Sequence, residues 1–225
     1  METVRASRRP YRLRQRRESM EATRERIVRA TFELHRERGP ALATISAIAR
    51  RAGVERHTVY RHFPDLVALI RACTEHGMRT TGLPDPGGWG ALDDPYERFR
   101  TALIAMYHYW RENEQLVANI LRDSPVMPEL VEGSASYQDH LGRIWQTVLE
   151  PWMSTEGEVG QRVRALAGTA LEFGTWQSLA RRYGLTDEAA VDAMVAAVRS
   201  SEPGVADPPA PARRKGGRRS TSSPY

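Results

Sequence analysis

Arg56, His57, Thr58 and Arg61 lie within six positions of one another in the stretch GVERHTVYRHF, residues 53–63. A guanidinium can grip guanine O6 and N7 with two hydrogen bonds, and a threonine methyl or a histidine edge can meet a thymine methyl. Tyr60 and His62 bring donors suited to phosphate oxygens. On a helix over 56–62 these polar residues project from one side. Val54, Val59 and Phe63 turn to the other, where Ile48 and Ala52 of the preceding segment can meet them. Gly53 between the two segments permits a tight turn. That is the layout of a helix–turn–helix, in which one helix crosses the DNA backbone and the next enters the major groove.

Other candidate chemistry is sparse. Cys73 and His76 have a Cys-x2-His spacing, but no second pair completes a zinc set. The three glycines of PGGWG, 86–90, lack the preceding strand and the lysine of a phosphate loop. No nucleophile–base pair and no cofactor loop stands out, so the expectation is a protein that is not an enzyme and uses no metal or cofactor.

The elements that position the motif read as helices throughout. Ile27, Ala30, Thr31 and Leu34 recur at helical spacing on a helix expected from about Ser19 and stopped by Gly39-Pro40. Thr44 is the expected N-cap of a helix over 45–52, and Pro64-Asp65 opens a fourth helix bearing Leu66, Leu69, Ile70 and Cys73 on one face. The Gly/Pro-rich stretch 82–95 then breaks the chain. Beyond it lie longer stripes: Phe99 to Trp110, Tyr137 to Trp152, Val163 to Gly174 and Ala190 to Val198, with 116–121 as a separate short segment. No strand-like alternation of useful length occurs. The expected fold is all-α. Residues 1–18 form a flexible basic arm, 19–80 a helix–turn–helix domain, 93–201 a helical ligand-binding and dimerisation domain, and 202–225 a disordered basic tail.

Charge is divided in the same way. The net +5 hides a front segment, 1–62, with 16 Arg against 7 Glu, a tail (203–225) at +4, and a body at −8. A basic front on an acidic body suits a chain that meets a polyanion with one end only. Arg8, Arg9, Arg12 and Arg14 of the arm are candidates for the minor groove. A single cysteine excludes an internal disulfide and fits a reducing compartment. No apolar run reaches the ~20 residues of a membrane helix, and no apolar core follows the basic N-terminus as in a secretory signal. A cytoplasmic, membrane-free location is expected.

The body carries five tryptophans. Met106, Tyr107, Trp110 and Tyr137, with Leu141, Trp145, Phe173 and Trp176, lie on helices that a bundle brings together. They are candidates to line a cavity for a flat, largely apolar ligand, with His108 and His140 as polar groups. Packing of the same side chains into an ordinary core is the competing reading. Small residues on the last helices, including Ala167, Ala170, Gly174 and Ala180, then Ala190, Ala193 and Ala197, would allow close approach of two copies in a four-helix contact.

The stretch TISAIARRAGVERHTVYRHFPDLVALI, 44–70, preceded by RIVRATFELHRERG, resembles the helix–turn–helix signature of the tetracycline-repressor (TetR) family of bacterial transcription regulators. The likeness covers about residues 24–71. It implies an all-helical homodimer whose small N-terminal domain binds a palindromic operator, and whose larger C-terminal domain holds a small apolar or aromatic ligand. Release of DNA by that ligand would make the protein a repressor. Carried over by position, Arg56, His57, Thr58 and Arg61 match base-facing residues, and Thr44, Tyr60 and His62 match backbone-facing ones. Three positions depart from the usual pattern. His35 stands where the first helix commonly ends its apolar face in Phe, His57 where a small residue is frequent, and Leu66 where a phosphate-binding Lys is common. The last removes one phosphate contact that the basic arm could replace. An architectural or non-specific DNA-binding protein, and a regulator without any ligand, are the alternatives. Binding spread evenly over sequence would mark the architectural case.

Overall fold

The computed structural model describes residues 3–201 of the 225, with side chains described at Tyr11 and from Leu13 onward. Among the described residues there is no strand, and the fold is all-α. Four helices build the head: α1 (Thr3–Arg38), α2 (Ile45–Ala52), α3 (Arg56–His62) and α4 (Leu66–Thr80). Their boundaries follow from local chemistry. The Thr44 side chain accepts from the Ala47 amide at 3.2 Å, and Asp65 accepts from Ala68 at 2.7 Å, each satisfying an amide that helix geometry leaves unpaired. Gly53 ends α2 in the left-handed region at φ 66°. Ile27, Leu34, Ile48, Val59, Phe63 and Leu69 close into one core. Arg51 of α2 ties back to α1 through Glu37 at 2.7 Å and Glu33 at 3.2 Å, and Arg24 of α1 lies over the Phe63 ring.

One expectation fails here. Residues 3–18 are not a flexible arm but the first half of α1, which runs unbroken from Thr3. Its described side chains, Tyr11 and Leu13 to Glu18, are exposed, in keeping with the missing apolar periodicity. Its Arg, Gln, Leu and Glu residues are good helix formers, and extending an existing helix needs no new nucleus. Arg14 is paired with Glu18 one turn on, at 3.3 Å. An unbroken helix cannot thread a minor groove as an extended arm does. The side chains of Arg8, Arg9 and Arg12, and the tail 202–225, lie outside the described residues.

The body comprises α5 (Pro95–Asp123), α6 (Pro128–Gly133), α7 (Ala135–Leu149), α8 (Gly157–Ala170), α9 (Phe173–Gln177), a π-turn over Ser178–Arg182, and α10 (Asp187–Ser200). The two segments expected around 99–110 and 116–121 are one helix, α5, bent at Asn113 (φ −120°, ψ 19°). The Asn113 amide donates to the carbonyls of Tyr109 (2.9 Å) and Thr81 (3.1 Å), so a side chain inserted into the backbone ladder causes the bend. The glycines of PGGWG also find their use. They form a turn whose Trp89 is buried in the body core, and the turn's carbonyls receive the buried Arg98 guanidinium, which donates to Gly90, Leu92 and Thr147 and pairs with Glu150.

Candidate nucleic-acid interface and cavity

At the head, the packing side of α3 is closed and the other side is open. Val59 and Phe63 are buried and Val54 packs against them. Arg56, His57 and Arg61 are exposed, as is Tyr60, with half its surface accessible. Thr58 is half-buried beside His57. Thr44 is exposed at the start of α2, where its hydroxyl is already engaged as the cap. His62 departs from its expected role: its Nε2 is buried without a partner. Burial, with Arg61 and Arg24 nearby, holds this imidazole below the usual histidine range, so it is a poor cationic phosphate contact. Four side chains of one short helix therefore present donors to solvent: two guanidinia, an imidazole and a phenol.

A second feature lies where head meets body. A cavity of about 430 Å³ is walled by α1 and α4 on one side and by α5, α6, α7 and α9 on the other. Of the residues expected to line such a space, Trp110, Tyr137, Leu141, Trp145 and Phe173 do so. Met106, Tyr107 and Trp176 do not; they are fully buried in the body core behind the lining, with the Tyr107 and Trp176 rings packed against Trp110. Tyr107 is held there by a bond from its hydroxyl to the Ala170 carbonyl at 3.0 Å, and Trp176 by its indole N–H to Asp187 at 3.0 Å. His108 is exposed, and His140 lies within 2.7 Å of the Pro84 carbonyl, so neither orients anything in the cavity.

The head contributes what sequence reasoning left out: Phe32 and His35 from α1, and Ile70, Cys73 and Met78 from α4. His35 is buried with its Nδ1 3.6 Å from the Cys73 sulfur. Burial pushes its imidazole down from 6.5 to about 4, against the pull of Asp123, and burial pushes the Cys73 thiol up to about 12. Both are neutral at ordinary pH. The available signal was the departure at His35, a polar residue where the apolar face of the first helix would otherwise be completed.

The last turn of α1 is also gripped by α5. Asn119 donates to the carbonyls of His35 (3.1 Å) and Arg36 (2.9 Å), and Arg122 donates to that of Arg38 at 2.9 Å. The Asp123 carboxylate accepts from the Ala41 amide at 3.0 Å and is itself held by both arms of Arg122. These bonds satisfy carbonyls that a helix end leaves open. They also fasten the head to the body at the turn that carries His35.

A helix–turn–helix head seated on an all-helical body defines a class of protein. Residues 27–73 match the family described as bacterial regulatory proteins, tetR family. The chain is 35% identical over 91 residues to the HTH-type transcriptional regulator SrpR of Pseudomonas putida, a match covering 39% of this chain and 41% of that protein. It is 36% identical over 89 residues to an uncharacterized HTH-type transcriptional regulator, TtgW, also of Pseudomonas putida, covering 38% and 63% respectively. The matches thus span less than two thirds of either relative. Among solved structures, NalD, the secondary repressor of the MexAB-OprM multidrug efflux pump in Pseudomonas aeruginosa, has the same fold, with a TM-score of 0.57, 18% identity and coverage of 82% of this chain and 97% of that one. A TetR-like transcriptional regulator from Rhodococcus sp. RHA1 superposes with a TM-score of 0.53 at 17% identity, covering 78% and 93%. The likeness to the tetR family is thus carried by residues 27–73, the helix–turn–helix head.

Proposed function

We propose that the protein is a homodimeric repressor of transcription that reads a palindromic operator with α3 and releases it when a small, largely apolar ligand fills the cavity. The observation that carries this reading is the two-sided α3. Its apolar side is locked into the head core, while Arg56, His57, Tyr60 and Arg61 stand free on the other. Base contacts come from Arg56, His57, Thr58 and Arg61; Tyr60 and the α2 start at Thr44 serve the phosphates. The basic first half of α1 adds charge along the backbone in place of the lysine that Leu66 replaces.

Dimerisation falls to the outer faces of α8 and α10. Ala167, Ala170 and Ala190 are consumed inside the protomer. The outward positions are Arg162, Leu166 and Thr169 on α8, and Ala189, Ala193 and Ala196 on α10. Two such pairs make a four-helix contact. The regulators and repressor to which the chain is similar support this reading, as does a chain without a helix long and apolar enough to cross a membrane among the described residues. A cytoplasmic, nucleoid-bound location follows from it.

The test is substitution on the free side of α3. Arg56→Ala and Arg61→Ala, each measured by fluorescence anisotropy on an operator selected by the wild type, should weaken binding about 10- to 100-fold and relax one base position per half-site. Their thermal unfolding should match the wild type, because both side chains are exposed. Unchanged affinity and unchanged base preference in both variants would remove α3 as the reading element.

A further inference from the structure

The cavity between head and body is lined by neutral side chains apart from Glu172. Among its polar residues, which include Thr74, Ser124, Ser134 and Gln138, His35 is the one that brings a buried imidazole. Nδ1 faces the Cys73 sulfur, so Nε2 is the ring nitrogen without a hydrogen-bond partner among the described residues, and the side chain is only 6% exposed. Six aromatic rings contribute to the lining, among them Phe32, Trp110 and Phe173 around the buried part. Among the described residues no Arg or Lys lines the space, and the one carboxylate, Glu172, belongs to an exposed residue. A ligand carboxylate would therefore be buried without a counter-ion, which is costly. A neutral imidazole offers no charge to offset it.

We infer that the cavity takes an uncharged, flat aromatic molecule bearing a hydroxyl group, and that this hydroxyl bonds to Nε2 of His35. A hydroxyl both donates and accepts, so it suits whichever tautomer the Cys73 contact selects. The inference rests on the ligand-responsive reading above and specifies its effector. It also gives the signal a short route. The ligand touches the last turn of α1 directly, at the residue whose carbonyl Asn119 holds, and lies against α4 at Cys73. Both helices belong to the head, so no relay through the body is needed.

Equilibrium dialysis of the full-length protein at neutral pH against naphthalene, 2-naphthol, 2-naphthoate and 2-naphthylmethylammonium tests this. The naphthol should bind about tenfold more tightly than naphthalene, the contribution of one buried hydrogen bond. The two charged probes should bind at least tenfold more weakly than the naphthol. His35→Phe should erase the preference for naphthol over naphthalene while retaining naphthalene. Should that variant fail to fold, the nitrogen resonances of the His35 imidazole in the wild type serve instead: Nε2 should shift with 2-naphthol and not with naphthalene. Equal binding of naphthol and naphthalene, tighter binding of either charged probe, or an Nε2 unmoved by naphthol would overturn the inference. Naphthalene binding without a naphthol preference would leave the ligand-responsive reading intact. Retention of no probe would end both the inference and the ligand part of that reading, and operator recognition would stand on its own measurement.

Discussion

His35 shows how much one residue can set. Because burial lowers its folded pKa from 6.5 to about 4, the unfolded chain binds a proton across that window and the folded chain does not. Stability therefore rises with pH between about 4 and 6.5, levels off above, and is lost as pH falls back through the window. The shift corresponds to about 3 kcal/mol. Urea unfolding at a series of pH values should show this slope in the wild type, with a smaller slope in His35→Leu; equal slopes would contradict it. Two glycines make a paired prediction. Gly53 has φ 66° and open space around an added Cβ, so Gly53→Ala should cost only the left-handed backbone term of about 1 kcal/mol. Gly39 has φ 96° and ψ 157°, and its added Cβ would fall 2.0 Å from the Arg122 guanidinium and 2.5 Å from the Asp123 carboxylate. Gly39→Ala should cost more than about 2 kcal/mol, read as the fall in the unfolding midpoint. Equal losses in the two variants would show that the α5 grip on α1 contributes nothing.

The helices of the head were legible because each is specified locally. Thr44, Gly53, Asp65 and Pro64 mark their own ends, and the apolar spacing of Ile48, Val59 and Phe63 marks the inner faces. Elements decided by distant partners were less legible. The bend at Asn113 depends on Thr81, 32 residues away, and so α5 read as two segments. The first half of α1 carries no apolar pattern, its described side chains from Leu13 to Glu18 are exposed, and it read as irregular. The cavity was half legible: aromatic stripes on α5 and α7 pointed to it, but periodicity gives a face and not a neighbour. It could not tell that Trp110 reaches the space while Met106 and Tyr107, one turn earlier on the same face of α5, stay in the core behind it. Nor could it show that α1 and α4 close the space. The grip of Asn119, Arg122 and Asp123 left no sign, since three polar residues at a helix end look like a solvated surface.

At the scale of the whole molecule, a basic head on an acidic body would orient the protein on DNA in the proposed reading, and the cavity sits on the boundary between the two. In the proposed reading, a ligand would shift the head only by binding one arrangement of head and body better than the other, and one seated in the cavity would touch α1 and α4 directly. Two heads are needed to read a palindrome. Leu166 is 40% exposed at the centre of the outer face of α8, so Leu166→Glu should turn a dimer into a monomer in sedimentation velocity while leaving the helical content unchanged. A wild type that sediments as a monomer, or a variant that remains dimeric, would remove this face from the account. The central claim, that paired α3 helices read a specific sequence, is tested most directly by selecting bound duplexes from a random pool at moderate salt and sequencing them. The account predicts an enriched palindrome whose half-sites are spaced by about one helical turn or more. A pool that is retained without any enriched sequence would contradict it.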